Sequence, residues 1–199
     1  MGAKLALAIA VLLVSVPSLA QVSPAAGPTK HALVNWSAGG GVNYWSGDWG
    51  KGDINRWGPS AWVTATMWHC LGLNIEGHSM IWGGNDAASE YKLFQGSGGV
   101  MCTMGYWGRL QPIFKGELGY ASLSTPGNGT GHLHSNYATW DVGGGLEYHI
   151  KGHWWARADY TYDAIMDFHS SITGQNHSLN PQGIAFGATY RFGPQGTRF

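Results

Sequence analysis

From Trp140 to Tyr190 the chain alternates between two kinds of side chain with a period of two residues. Trp140, Val142, Leu146 and Tyr148 share one parity, and Asp141, Gly143, Gly145 and Glu147 share the other. The next run sets Trp154, Ala156, Ala158, Tyr160 and Tyr162 against His153, Arg157, Asp159, Thr161 and Asp163. The last sets Ile184, Phe186, Ala188, Tyr190 and Phe192 against Gly183, Ala185, Gly187, Thr189 and Arg191. Successive side chains of a strand point to opposite faces, so each run predicts a two-faced strand. One face is aliphatic in the middle and aromatic at its ends; the other is small and charged. That combination suits a barrel wall with lipid outside and a polar lumen inside.

The same alternation predicts eight strands, over 31–46, 58–69, 72–83, 91–106, 109–123, 133–150, 153–167 and 181–192. Trp62, Trp68, Gly98 and Gly99 blur the second and fourth. Long connections rich in Gly, Ser, Asn and Asp are expected over Ser46–Trp57, Gly83–Glu90, Ser124–His132 and Phe168–Asn180. Short turns are expected at His69–Leu71, Trp107–Gly108 and Lys151–Gly152. Long loops at one end and short turns at the other are the habit of outer-membrane barrels. The fold expected is all-β: an eight-stranded antiparallel up-and-down transmembrane β-barrel over residues 31–192. Pro112, near the start of the fifth strand, sits where a missing amide is tolerated. The 32 glycines suit a narrow wall that bends sharply around little interior space.

Composition sharpens this picture. Charged residues make up 11% of the chain, against about 25% in ordinary soluble domains. Aromatics reach 13%, with 11 Trp. A soluble sheet would carry many more Lys and Glu on its wet face. No later segment has the roughly 20 apolar residues of a spanning helix, and a closed barrel is the other way to satisfy the backbone in lipid. Residues 1–20 read as a signal peptide, with Lys4, an apolar stretch from Leu5 to Val16, and Ser18-Leu19-Ala20 as the cleavage site. Residues 21–30 form a Pro/Ala/Gly leader, and 193–199 a periplasmic tail. Cleavage leaves 10 basic against 11 acidic residues, so no basic excess points to nucleic acid. Export permits a disulfide between Cys70 and Cys102. The expected strand order puts Cys70 in the turn between strands two and three and Cys102 inside strand four, with a strand between them that makes bridging awkward.

The stretches Leu71-Gly72-Leu73-Asn74-Ile75-Glu76-Gly77, Leu110–Gly119, Asp141–Tyr148 and Thr189-Tyr190-Arg191-Phe192 resemble those of the OmpA-like small outer-membrane β-barrels, the opacity-type group with an outer membrane protein beta-barrel domain. The resemblance covers about residues 31–192. It implies an integral protein of the outer membrane of a double-membraned bacterium, in contact with outer-membrane lipid and with the barrel assembly machinery during insertion. A monomer is expected. Only Gly193 to Phe199 follow the expected last strand, without a peptidoglycan-binding domain, so a wall-anchoring role is not expected. Phe192 or Phe199 could serve as the terminal aromatic that the insertion machinery reads.

The inward parity gathers Glu76, Glu117, Asp141, Glu147, Asp159 and Asp163 as acids and Lys115, Arg157 and Arg191 as bases. Buried charges must pair or meet water. Arg157 is the expected hub, because a guanidinium can hold two carboxylates. A structural plug of ion pairs is the main reading, and a selective pore the next. The outward parity gathers Trp36, Tyr44, Trp140, Tyr148, Trp154, Tyr160, Tyr162, Tyr190 and Phe192, amphipathic rings suited to the two membrane–water interfaces. Trp49 and Trp57 are expected in the first long loop, and His149 and His153 at an interface beside a turn.

Three patterns carry other chemistry. His132-Leu133-His134 would put two imidazoles on one face, without a third metal ligand, so neither metal nor cofactor is expected. His169-Ser170-Ser171, with Asp163 or Asp167 nearby, resembles the set of lipid-trimming outer-membrane acyl hydrolases, which makes a lipid-modifying enzyme the first alternative. A secreted lipocalin-like barrel with inverted faces is the second. Asn35-Trp36-Ser37, Asn128-Gly129-Thr130 and Asn176-His177-Ser178 match a glycosylation pattern, but the first falls in a strand and the implied cell is bacterial. The reading adopted is a structural or small-pore protein without enzymatic activity.

Overall fold

The computed structural model describes residues 34–48, 53–68, 70–83, 90–126, 132–166 and 180–192. The strands are β1 (Asn35–Asp48), β2 (Asp53–Trp68), β3 (Leu71–Gly83), β4 (Glu90–Thr103), β5 (Leu110–Pro126), β6 (His132–Lys151), β7 (Trp154–Ile165) and β8 (Gln182–Phe192). Each pairs antiparallel with its sequence neighbours, and β1 pairs with β8 from Trp36↔Phe192 to Ser46↔Gln182, so the sheet closes on itself. Closure leaves no unpaired sheet edge, which is what lets strands cross a bilayer.

The wall has the two faces that the alternation demands. Ile75 is 67% exposed and Leu118 71% exposed, while Asp163 and Thr189 are fully buried. Apolar side chains stand outside and polar ones inside. That orientation is the reverse of the lipocalin-like alternative, in which the apolar face would line the interior.

The strands run further than their apolar cores. The β1–β2 ladder continues to Asp48↔Asp53, so the first connection is only 49–52 rather than Ser46–Trp57. The β5–β6 ladder continues to Pro126↔His132. Residues such as Asn55 and Arg56 are polar and exposed, and as ladder residues above the bilayer they need no apolar face. A spanning strand needs about 9–11 residues, whereas β6 has 20. Trp57 is therefore a wall residue, not a loop residue; its ring lies 4.8 Å from that of Tyr44 on the adjacent strand. At the opposite end β4 stops at Thr103, short of the expected residue 106. The connection 104–109 is correspondingly longer than expected. It is held by Met104 N–H donating to the Pro112 carbonyl at 2.8 Å and by a Trp107–Leu110 bridge. Gly108 and Gly152 take positive φ in the turns at this end, 68° and 57°, a conformation that side-chain-bearing residues rarely adopt.

The strand order also corrects the expectation for the cysteines. No strand separates them. β3 begins at Leu71, directly after Cys70, and Leu71 is the register partner of Cys102 on β4. The expectation overlooked that a turn between β2 and β3 necessarily borders the far end of β4, because β3 returns beside it.

Candidate functional site: the barrel interior

The interior is built in three levels. At the end with connections 49–52, 84–89 and 127–131, the inward side chains are mostly apolar, with Asn43 and the His78 ring beside them. Trp45, Met80, Leu93, Ala121, Leu123 and Ile165 form one buried cluster, with Tyr137 packed against it. Below it lies a charged level. Near the short turns, Arg191 holds the third.

The charged level contains a closed square of ion pairs. Lys115 Nζ lies 2.7 Å from Glu76 Oε2 and 3.1 Å from Asp159 Oδ1. Arg157 Nη2 lies 3.3 Å from the same Glu76 oxygen, and its Nε 2.7 Å from Asp159 Oδ2. Each cation thus bridges both acids, and the square ties β3, β5 and β7. The guanidinium of Arg157 also stacks 4.7 Å from the Trp62 ring. Trp62 in turn donates from Nε1 to Thr189 Oγ1 at 2.9 Å. All four charged residues are buried; full desolvation is tolerable here because every charge has two partners of opposite sign.

Glu117 is satisfied without a cation. Asn74 Nδ2 and Ser97 Oγ each donate to it at 2.6 Å, and Thr64 donates to Asn74 Oδ1 at 2.6 Å. Asp141 faces Glu117 on one side and Asp163 on the other in the strand register. Asp163 accepts from Gln95 Nε2 at 2.8 Å. The charged level therefore holds five acids, Glu76, Glu117, Asp141, Asp159 and Asp163, against the cations Lys115 and Arg157, with His78 Nδ1 3.6 Å from Glu76 Oε1.

Arg191 closes the third level. It donates to Glu147, to Gln111 Oε1 at 2.6 Å and to Tyr106 Oη at 3.1 Å. Its guanidinium lies 3.8 Å from the Trp155 ring. Tyr106 comes from the 104–109 connection, so that segment contributes to the third level. His149 and His153 sit beside the adjacent turn, where their ring nitrogens contact Gly152 O at 3.0 Å and Arg191 O at 2.9 Å.

The structure thus brings Glu76, Lys115, Arg157 and Asp159 into one contact set, and Glu147 and Arg191 into another. Glu117 and Asp141 lie beside the first set without an ion pair to it. The expected hub, Arg157, shares its role with Lys115. Sequence reasoning left out Trp45, Trp62 and Trp155, which point inward. The signal was present: Trp62 has the parity of Ser60 and Thr64, and Trp155 that of His153 and Arg157. Glycines make the room. A Cβ at Gly187 would fall 2.5 Å from the Trp62 ring, and one at Gly143 3.0 Å from the Lys115 side chain.

On the outer face, Trp36, Tyr148, Trp154, Tyr190 and Phe192 stand toward the short-turn end, and Tyr44, Trp57, Trp140, Tyr160 and Tyr162 toward the other. Rings touch within each level: Trp154–Tyr190 and Tyr190–Phe192 at 5.1 Å, and Trp140–Tyr162 at 6.2 Å. Between them lie Val42, Val142, Leu146, Ala156, Ala158 and Phe186. Two aromatic belts around an apolar band are the exterior of a membrane barrel. His134 is exposed on β6. His169, Ser170, Ser171 and Asp167 lie outside the described residues, as do Trp49, residues 1–30 and the tail 193–199. Asp163 lies inside the wall, fully buried.

A closed antiparallel barrel with a polar interior and a belted apolar exterior defines a transmembrane protein of the outer-membrane type. The family model described as outer membrane protein beta-barrel domain matches residues 6–192, and the chain belongs to that family. It is an integral protein of the outer membrane. Among solved structures it is similar to Neisserial surface protein A from Neisseria, with TM-score 0.64 and 13% identity over 81% of this chain and 98% of that one. A major outer membrane protein from Thermus thermophilus gives TM-score 0.55 at 13% identity, over 81% and 100% of the two chains. Ail, the attachment invasion locus protein of Yersinia pestis, gives 0.52 at 15% identity over the same shares. At such identities the likeness is one of fold. No curated protein matches the sequence.

Proposed function

We propose that this chain is a structural outer-membrane barrel whose lumen is closed at rest. The observation that carries the proposal is the apolar cluster of Trp45, Met80, Leu93, Ala121, Leu123 and Ile165 lying across the outer end of the lumen. Ions would have to cross a layer that offers few polar groups, the Asn43 amide, the Trp45 indole N–H and the His78 ring 5.1 Å from that of Trp45. Below it, the square of Lys115, Glu76, Arg157 and Asp159 fills the middle, and Arg191 stacked on Trp155 fills the periplasmic end. An eight-stranded barrel leaves an interior that side chains can fill.

The role is mechanical and non-enzymatic: a rigid wall that holds its outer connections above the membrane. Its exterior contacts lipid along the band between the aromatic belts, and the barrel acts as a monomer. Any transient opening would expose five acids and two bases, so it would pass cations in preference. Incubation of the purified protein with outer-membrane lipid tests the non-enzymatic part, with acyl release as the contrary result. Bilayer recording tests the closed lumen.

A further inference from the structure

Cys70 is fixed against β4 by its backbone. The amide of Thr103 donates to the Cys70 carbonyl at 2.8 Å, and the Thr103 hydroxyl does so at 3.4 Å. Cys102 is the register partner of Leu71, the residue next to Cys70. Cys70 precedes the strand, so its side chain is free of the strand's alternation and can turn toward Cys102. Close by, the β2–β3 register shifts between Thr66 and Trp68, and such a bulge re-aims side chains at a barrel rim. The Cys70 and Cys102 side chains are neighbours at this rim. Both are reduced in this structure and half-buried, so a reagent can approach from the rim. Directly opposite residues on antiparallel strands have Cα atoms about 4.5–5.5 Å apart; Cys70 is one residue off that position from Cys102, a diagonal of a size with the about 4.4–6.8 Å that disulfides use. The family's orientation puts this β2–β3 turn in the periplasm, an oxidising compartment.

We propose that Cys70 and Cys102 are a disulfide site at the periplasmic rim, oxidised by a periplasmic protein that carries a reactive disulfide. The Cys70 thiolate attacks that disulfide, forming a mixed disulfide and releasing one oxidant thiolate. The Cys102 thiolate then displaces the oxidant's remaining sulfur. One S–S bond forms in the barrel and one breaks in the oxidant. Two electrons and two protons pass to the oxidant's dithiol. The bond locks the β2–β3 turn to the end of β4 and so fixes the β3–β4 register at the rim. The proposal rests on the orientation of the barrel and is independent of whether the lumen is closed.

The test is alkylation of the full chain taken from outer membranes. Maleimide is added at lysis in denaturing detergent, so that burial does not matter, and the intact mass is read. The proposal predicts no adduct before reduction and two after dithiothreitol, with a peptide carrying Cys70 cross-linked to one carrying Cys102. In Cys70→Ser, Cys102 should alkylate without reduction. Two adducts on unreduced wild type, or each cysteine carrying a separate small thiol, would overturn it. A second measurement asks whether the fold builds the pair. In a glutathione redox buffer, the folded barrel in lipid should close the bond on the order of tenfold or more favourably than the urea-unfolded chain. Equal closure in both states would overturn the claim that the structure prepares this site.

Discussion

Arg157 on β7 and Glu76 on β3 belong to diametrically opposed strands, yet Arg157 Nη2 reaches Glu76 Oε2 at 3.3 Å. A side chain from one wall touching a side chain from the other means that the lumen is spanned at this level. Lys115 and Asp159 complete the square, and Trp62 supports it from β2. The barrel is therefore cross-braced as well as closed.

Removing one corner of that square should be costly. Arg157→Ala leaves two buried carboxylates with a single cation, and breaking such a pair destabilises by about 3–5 kcal/mol. Arg157→Lys keeps the charge but loses the fork that reaches Glu76 and Asp159 together, so it should fall between wild type and Arg157→Ala. Urea titration of the barrel in lipid vesicles measures both. Equal stability of all three proteins would show that the square does not brace the wall.

The outer face should reject charge. Val142→Arg and Ala158→Arg each put a guanidinium on the apolar band between the aromatic belts, at a cost of about 2–4 kcal/mol near the midplane. The same titrations read this out, and costs near zero at both positions would mean that this band is not in lipid.

Trp62 needs the space that glycine leaves. Gly187→Ala places a methyl group 2.5 Å from its ring and against the Gly40 backbone. Overpacking of this kind costs about 1–3 kcal/mol. Loss of the Trp62–Thr189 hydrogen bond should accompany it, visible as a shifted tryptophan emission against a Trp62→Phe control. An unchanged spectrum and stability would show that the ring does not occupy the lumen tightly.

Insertion should depend on the end of β8. Tyr190 and Phe192 stand in the periplasmic aromatic belt, their rings 5.1 Å apart. Replacing both with serine should deplete the protein from the outer membrane, while deleting 193–199 should be tolerated. Membrane fractionation and immunoblotting decide between them; the reverse pattern would assign the recognition to Phe199.

The wall was legible in the sequence because strand geometry converts parity directly into a face. The runs from Trp140, Trp154 and Ile184 needed nothing more. The same parity put Glu76, Lys115, Arg157 and Asp159 on one side, but not which of them touch. Contacts across a lumen depend on barrel diameter and stagger, and these exist only once β1 meets β8. The inward Trp45, Trp62 and Trp155 escaped because tryptophan is at home at a membrane interface, and its chemistry outweighed its parity. The strand ends were misjudged for a related reason. Ser, Asn and Asp signal loops in a strand that needs an apolar face, but the ladder of β1 and β2 extends into water, where no such face is needed. The cysteines were misjudged by assigning the β2–β3 turn to β2, whereas Cys70 stands at the start of β3, the direct neighbour of β4.

The most direct test of the central claim is single-channel recording of the purified wild-type barrel in planar bilayers. The apolar layer of Trp45, Met80, Leu93, Ala121, Leu123 and Ile165 predicts a silent baseline, with at most brief openings that prefer cations. Leu93→Ser together with Met80→Ser, which wets that layer, should make such openings more frequent. A large, steady, anion-preferring conductance in the wild type would contradict the account.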